Sequence, residues 1–315
     1  MYLNLKTTRV YLSLALAFSV TGLTASTASI GVATANGNFQ VNSSQVRGSS
    51  TLMDGTVIET GSASSQVQMN NGAHVRVAAG SRAKIYEGRL ILEKGVGELD
   101  SSTAFQVEAH SLRISNAGPN TVARVRITSP NQVMVAALKG PVRVTNAAGF
   151  LIANIAAGGA LSFDPEVGAT GPTKVTGCLE NRDGKVVITD QTTNVTMEVR
   201  GAGVEKEVGN HVELTGASEA GSATVNGASQ AINVSAFKRV GKAGACPSKA
   251  AGAVAAGGIA TAAGGAAAGG TATVAGVSVT TVAIVGGVAA AGTAIGLAAA
   301  GTFSGSSAKA PAVSR

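Results

Sequence analysis

The chain has 315 residues, a formal charge of +7, 42 glycines, no tryptophan and only 3% aromatic residues. That supply of aromatics is too thin for a base-stacking surface, and the charge is not clustered as phosphate binding requires. Residues 29–172 hold 11 basic and 9 acidic side chains, residues 173–242 hold 8 of each, and most of the excess lies at the two ends, so nucleic acid is not expected as a partner.

Lys6 and Arg9 precede an apolar run from Val10 to about Leu23, followed by the small residues Ser26-Thr27-Ala28. This is the order of a secretory signal. Residues 1–28 are therefore expected to form a signal helix cleaved after Ala28, with Ala33-Thr34-Ala35 as a second cleavage option and an uncleaved anchor as the alternative. The apolar run is shorter than the roughly 18 residues of a span, which favours cleavage.

Residues 29–165 predict an all-β unit. Val67/Met69, Val75/Val77, Leu90/Leu92, Val107, Leu112/Ile114, Val125/Ile127, Val133/Val135 and Val142/Val144 alternate with polar neighbours. Such period-two runs mark strands with one buried face. Asp54-Gly55, Asn71-Gly72, Lys139-Gly140 and Ala148-Gly149 punctuate them as tight turns. Turn spacing alone leaves a sandwich, a barrel and a solenoid open.

The stretch NGNFQVNSSQVRGSSTLMDGTVIETGSASSQVQMNNGAHVRV resembles the FecR periplasmic domain. Gly55, Ile58, Thr60, Gly61, Ser64, Val67, Gly72, Val75 and Ser81 occupy its turn-strand-turn pattern, and Gly140, Val142 and Val144 match its later G-x-V-x-V. Among these, Gly55, Thr60, Gly61, Gly72 and Gly140 are the family's turn positions. The resemblance implies a twisted β-solenoid-like fold and a role in transmembrane signalling. FecR regulators carry a cytoplasmic sigma-binding segment and a membrane span ahead of this domain. None is recognisable before the signal, so anti-sigma regulation is not expected.

After a Pro/Gly linker at 166–173, residues 174–246 predict strands at 174–180, 185–190, 193–200, 211–216 and 231–240, with a helical turn at 204–209. Five strands with a helix after the third are the order of a five-stranded OB-like barrel. Cys178 and Cys246, the chain's two cysteines, bracket this unit. In an exported protein they are expected to bridge; two buried thiols are the alternative.

Residues 247–272 form a Gly/Ala-rich spacer or marginal span. Residues 273–300 are apolar or small throughout and are expected to form a transmembrane helix, with a short basic tail at 301–315. Gly292 and Gly296 provide a small-x-x-x-small face for self-association. A cleaved signal and one such span would anchor the protein in the inner membrane with its β units on the periplasmic face; a soluble periplasmic or secreted protein is the alternative.

No constellation of catalytic, cofactor-binding or metal-ligating residues emerges. His74, His110 and His211 are scattered singly, and Glu93, Glu98 and Asp100 are expected at solvated strand ends. Arg76, Arg82, Lys84 and Arg89 alternate in a way that would let one sheet face attract an anionic glycan. The sequence therefore points to a non-catalytic signalling or interaction module with an envelope protein as partner. A structural envelope protein and a glycan- or small-ligand-binding module are the alternatives.

Overall fold

The computed structural model describes residues 28–101, 104–165, 172–241, 244, 246 and 270–282. The all-β expectation holds for these residues. A long hairpin opens the fold: β1 (Ser29–Val41) and β2 (Ser44–Met53) meet at a turn where Asn42 and Ser43 take φ of 48° and 67°. β1 serves two sheets. Its Gly31–Ala35 stretch pairs with β4 (Ser65–Met69), and its Phe39–Val41 stretch pairs with β3 (Thr56–Thr60). The change of partner coincides with a register shift between Ala35 and Asn38, and such a bulge bends a strand.

From there the chain winds between the sheets, each visit adding strands at the growing edge. The first sheet continues through β5 (His74–Val77), β8 (Val96–Ser101), β11 (Thr121–Ser129), β12 (Gln132–Lys139) and β15 (Ala160–Pro165). The second runs from β3 through β6 (Arg82–Ile85), β7 (Arg89–Lys94), β9 (Gln106–Ala109), β10 (Leu112–Asn116), β13 (Val142–Asn146) and β14 (Leu151–Ile155). Only the β7–β9 ladder among these is parallel. Inward positions of both sheets, such as Val75, Leu99 and Val125 in one and Ile58, Leu90 and Ile114 in the other, belong to one apolar core.

Buried hydroxyls sit where the chain passes between sheets. Thr60 Oγ1 accepts from the Ser81 nitrogen at 2.9 Å, Ser81 Oγ accepts from the Val96 nitrogen at 2.9 Å, and Thr121 Oγ1 donates to the Gly118 carbonyl at 2.9 Å. These groups satisfy backbone atoms that no ladder reaches. Gly140 explains its own identity: it has φ of 65°, and a Cβ there would lie 2.7 Å from Thr121 Oγ1.

The second unit comprises β16 (Thr173–Arg182), β17 (Lys185–Asp190), β18 (Thr196–Arg200), a 3-10 turn at Val204–Glu207, β19 (His211–Ala220) and β20 (Gln230–Arg239). Its ladders close on themselves: β16–β17, β17–β18, β18–β20 in parallel, β20–β19 and β19–β16. Cys178 on β16 is disulfide-bonded to Cys246, with Cα atoms 5.7 Å apart.

One expectation is overturned. Part of the segment expected as a transmembrane helix over 273–300 forms a β-hairpin, β21 (Thr271–Val274) and β22 (Val277–Thr281). β22 pairs with β15 over five positions, from Leu161↔Thr281 to Pro165↔Val277, and β21 reaches β16 at Lys174↔Thr273. The hairpin fills the gap between the two units. The reason lies in its period: Ala272, Val274, Val277 and Val279 are buried, while Thr273, Ser278 and Thr280 alternate with them along the two strands. Alternation of that kind satisfies a strand and not a helix. Among the described residues no helix is long and apolar enough to cross a membrane. Residues 1–27 of the expected signal segment 1–28, 166–171 of the linker 166–173, 247–269 of the spacer 247–272, and 283–315 with Gly292 and Gly296 lie outside the described residues.

Candidate functional site

The outward side chains of the first sheet line up in two cross-strand rows. One runs Thr51, Val32, Gln68, His74, Asp100 and Val122; the other runs Ser49, Thr34, Gln66, Arg76, Glu98 and Arg124. A partly open cleft of about 320 Å³ lies over the middle of both rows, lined by residues from β1, β4, β5 and β8. Directly opposed residues in such rows stand about 4.5–5.5 Å apart at Cβ, so neighbouring side chains along a row are close enough to contact one polar group.

The charges in the cleft are unequally committed. Arg124 holds Glu98 by two hydrogen bonds, at 3.0 Å through Nε and 2.7 Å through Nη2. The side chains of Arg76, His74 and Asp100 have no hydrogen-bonded or ionic partner among the described residues, and all three residues are exposed. The cleft thus offers one cation, one anion, an imidazole and the two amides of Gln66 and Gln68 to a polar ligand. It contains no thiol, and its sole hydroxyl, on Thr34, donates to the Gln66 carbonyl at 3.4 Å.

The neighbouring strand completes the site. Among the described residues β2 ladders to β1 alone, so along 44–52 the backbone groups that point away from β1 have no strand partner, while the Met53 nitrogen and carbonyl are taken by the Thr56 hydroxyl. Val32 and Met53, two of the four exposed large apolar side chains among the described residues, flank this edge on β1 and β2. Other open edges are shorter or covered. On β14, for instance, the Asn154 nitrogen donates to the Thr193 carbonyl at 2.7 Å, which ties that edge to the second unit.

The sequence-singled residues distribute differently from the expected pattern. Arg76 faces out from the first sheet, whereas Arg82, Lys84 and Arg89 belong to the second, so the four do not line one face. Arg82 is bound by Glu59 at 2.7 Å and Glu93 at 2.8 Å; Lys84 and Arg89 lie over the Tyr86 ring. Glu93 is likewise separated from Glu98 and Asp100. Gly55, Gly72 and Gly140 take positive φ in turns, and the Gly61 carbonyl accepts from the Gly80 nitrogen at 2.8 Å; none of them lines the cleft. His110 is a turn residue with φ of 52°, and His211 opens β19. Among the described residues no three His, Cys, Asp or Glu side chains are grouped to hold a metal ion.

No protein-family model matches the chain, and no curated protein does. The functional reading therefore rests on its own geometry.

A second polar cluster escaped sequence reading. Glu198 on β18 is buried and accepts from the Thr224 nitrogen at 2.6 Å, Thr224 Oγ1 at 2.9 Å, Arg200 Nε at 3.0 Å and Lys185 Nζ at 3.3 Å. The Thr224 backbone bond is the largest cause holding its carboxyl down at about 2; the Thr224 hydroxyl, Arg200 and Lys185 add to it, against the cost of burial. Its cross-strand neighbour Val187 is buried as well. Residues 224–225 thus tie down on the outer face of β17 and β18. In the sequence Glu198 between Met197 and Val199 has the ordinary alternation of a strand with one wet face, so nothing local marked it as buried.

Proposed function

We propose that this protein is a non-catalytic scaffold of the cell envelope that docks an extended segment of a protein partner along β2 and the adjoining cleft. The carrying observation is the open edge of β2, which among the described residues pairs with β1 alone, near exposed Val32 and Met53, with uncommitted His74, Arg76 and Asp100 further along the same sheet on β5 and β8. Strand addition uses such an edge for affinity and neighbouring side chains for selection. The winding of β1–β15, with the turn residues Gly55, Thr60, Gly61, Gly72 and Gly140, supports assigning this unit to a FecR-like solenoid. The closed ladder order of β16–β20, with its 3-10 turn after the third strand, supports an OB-like barrel.

Export fits the same reading. Ile30 and Ala33 are buried in β1, so cleavage after Ala28 leaves the first strand whole, whereas cleavage after Ala35 would remove half of it. A glycan bound on the outer face of β17 and β18 is the weaker reading, because Glu198 and Val187 are already covered there.

The test is a photo-crosslinking amino acid placed at Ser49 on β2 and, separately, at Lys84 on the opposite sheet, in cells expressing the full chain. One discrete protein adduct from Ser49 and none from Lys84 supports the proposal. Equal labelling from both positions, or none from Ser49, overturns it.

A further inference from the structure

The open edge of β2 carries none of the usual protection. Residues 48–53 read Gly-Ser-Ser-Thr-Leu-Met, without a charge or a proline, whereas exposed edges are commonly blunted by such residues. The neighbouring ladder shows which backbone groups are free. The Ile30 carbonyl accepts from the Asn70 nitrogen at 2.9 Å on the β4 side of β1. By alternation Val32 and Thr34 also turn their backbone groups to β4, and Gly31 and Ala33 turn theirs to β2. The β2 partners of those two, Leu52 and Ser50, therefore face β1. Ser49 and Thr51 point their N–H and C=O groups the other way, to the open edge.

This edge is complementary to itself. Antiparallel pairing about a two-fold axis through Ser50 sets Ser49 of each copy against Thr51 of the other, and each such pair exchanges two backbone hydrogen bonds. The contact is reciprocal, as a two-fold interface requires. No charge meets its own kind at the axis, where like charges directly opposed would destabilise the ladder. The nearest charges, Arg47 and Asp54, have opposite signs and lie on opposite sides of Ser50. In this register Arg47 of one copy stands opposite Met53 and next to Asp54 of the other. Both retain bonding capacity: Arg47 donates to Asn38 Oδ1 through Nε at 3.1 Å, and Asp54 accepts from the Glu87 nitrogen through Oδ1 at 2.9 Å.

We infer that the occupant of this edge is β2 of a second copy of the chain, which joins two first sheets into one continuous sheet. The inference rests on the reading of β2 as a docking edge and names its partner. A two-fold axis normal to the sheet keeps the same outward face of both copies on one side. The row ending Arg76, Gln66, Thr34 and Ser49 in one copy then runs on into the row beginning Thr51 and Val32 in the other. The two polar clefts thereby share one surface.

Paired Ser50 residues on the axis would have Cα atoms about 4.5 Å apart, within reach of a disulfide. The two copies of Gln45 would lie roughly 33 Å apart at about 3.3 Å per residue. Full chains carrying S50C or Q45C are purified and oxidised separately; the native cysteines are already bonded to each other. The expected result is a covalent dimer of S50C and none of Q45C. Random collision would give the reverse, because Ser50 is half-buried and Gln45 is exposed. Adding Thr51→Pro, which removes an N–H that β1 does not use, is expected to abolish the S50C link. Monomeric S50C, or equal linking of both variants, overturns the inference. A Ser49 crosslink in cells to a different polypeptide, with S50C monomeric, overturns self-pairing and leaves β2 as a docking edge. No Ser49 adduct together with monomeric S50C overturns both readings.

Discussion

The side-chain oxygen of Thr60 lies 2.9 Å from the backbone nitrogen of Ser81, while its proton faces the carbonyls of Ala78 and Ser81. One hydroxyl thereby ties the end of β3 to the segment that crosses back from the first sheet. Thr60→Val keeps the shape and removes the bonds, leaving a buried nitrogen unsatisfied. A loss of about 1–3 kcal/mol is expected, read as a lower urea midpoint with an unchanged slope.

Reduction of the Cys178–Cys246 bridge releases a 68-residue loop. On the chain-entropy account the unfolded state gains about 4 kcal/mol of freedom. Cys246→Ser should therefore melt well below the oxidised parent and match it once the parent is reduced. Equal melting of oxidised and reduced parent would show that the bridge constrains nothing.

Ala275 and Gly276 form the two-residue turn of the C-terminal hairpin with φ of 46° and 76°. Both angles are positive, as a type I′ turn requires, and alanine is strained there. Ala275→Gly should stabilise the chain by about 0.5–1 kcal/mol, and Ala275→Asn by a similar amount. Thermal melting of either variant checks the sign.

Glu198 is held at about 2, below its ordinary 4.5, so the folded state binds its proton less readily than the unfolded chain. Its contribution is complete above pH 4.5 and is lost as pH falls toward 2. Glu198→Gln should cost about 1–3 kcal/mol at pH 7, with the gap to the parent narrowing through that acid window. A gap that stays constant from pH 7 to pH 2 would remove the carboxylate from the explanation.

What was legible in the sequence followed local period. Val67/Met69 and Leu112/Ile114 alternate because their strands have one wet face, and the strand expected at 185–190 is β17 with the same bounds. Non-local pairing was not legible. Arg76 and Arg82 are six residues apart, yet the crossing at 78–81 sends them to opposite outer faces. The cleft was hidden for the same reason, since Val32, Gln68, His74 and Asp100 meet only through register. Val274 to Val279 looked like lipid-facing bulk because the Gly/Ala tracts on either side conceal a short alternation. Thr273, Ser278 and Thr280, the polar residues that alternate with Ala272, Val274, Val277 and Val279, were the available clue.

The disulfide at Cys246 and the seat of Gly270 beside Thr192 impose a parity rule on the connection between them. Both ends belong to one folded body, and a body lies on one side of any bilayer it faces. An excursion that starts and finishes on the same side crosses an even number of times. Cys246, Gly270 and Val282 therefore lie on one side of any membrane that this body faces.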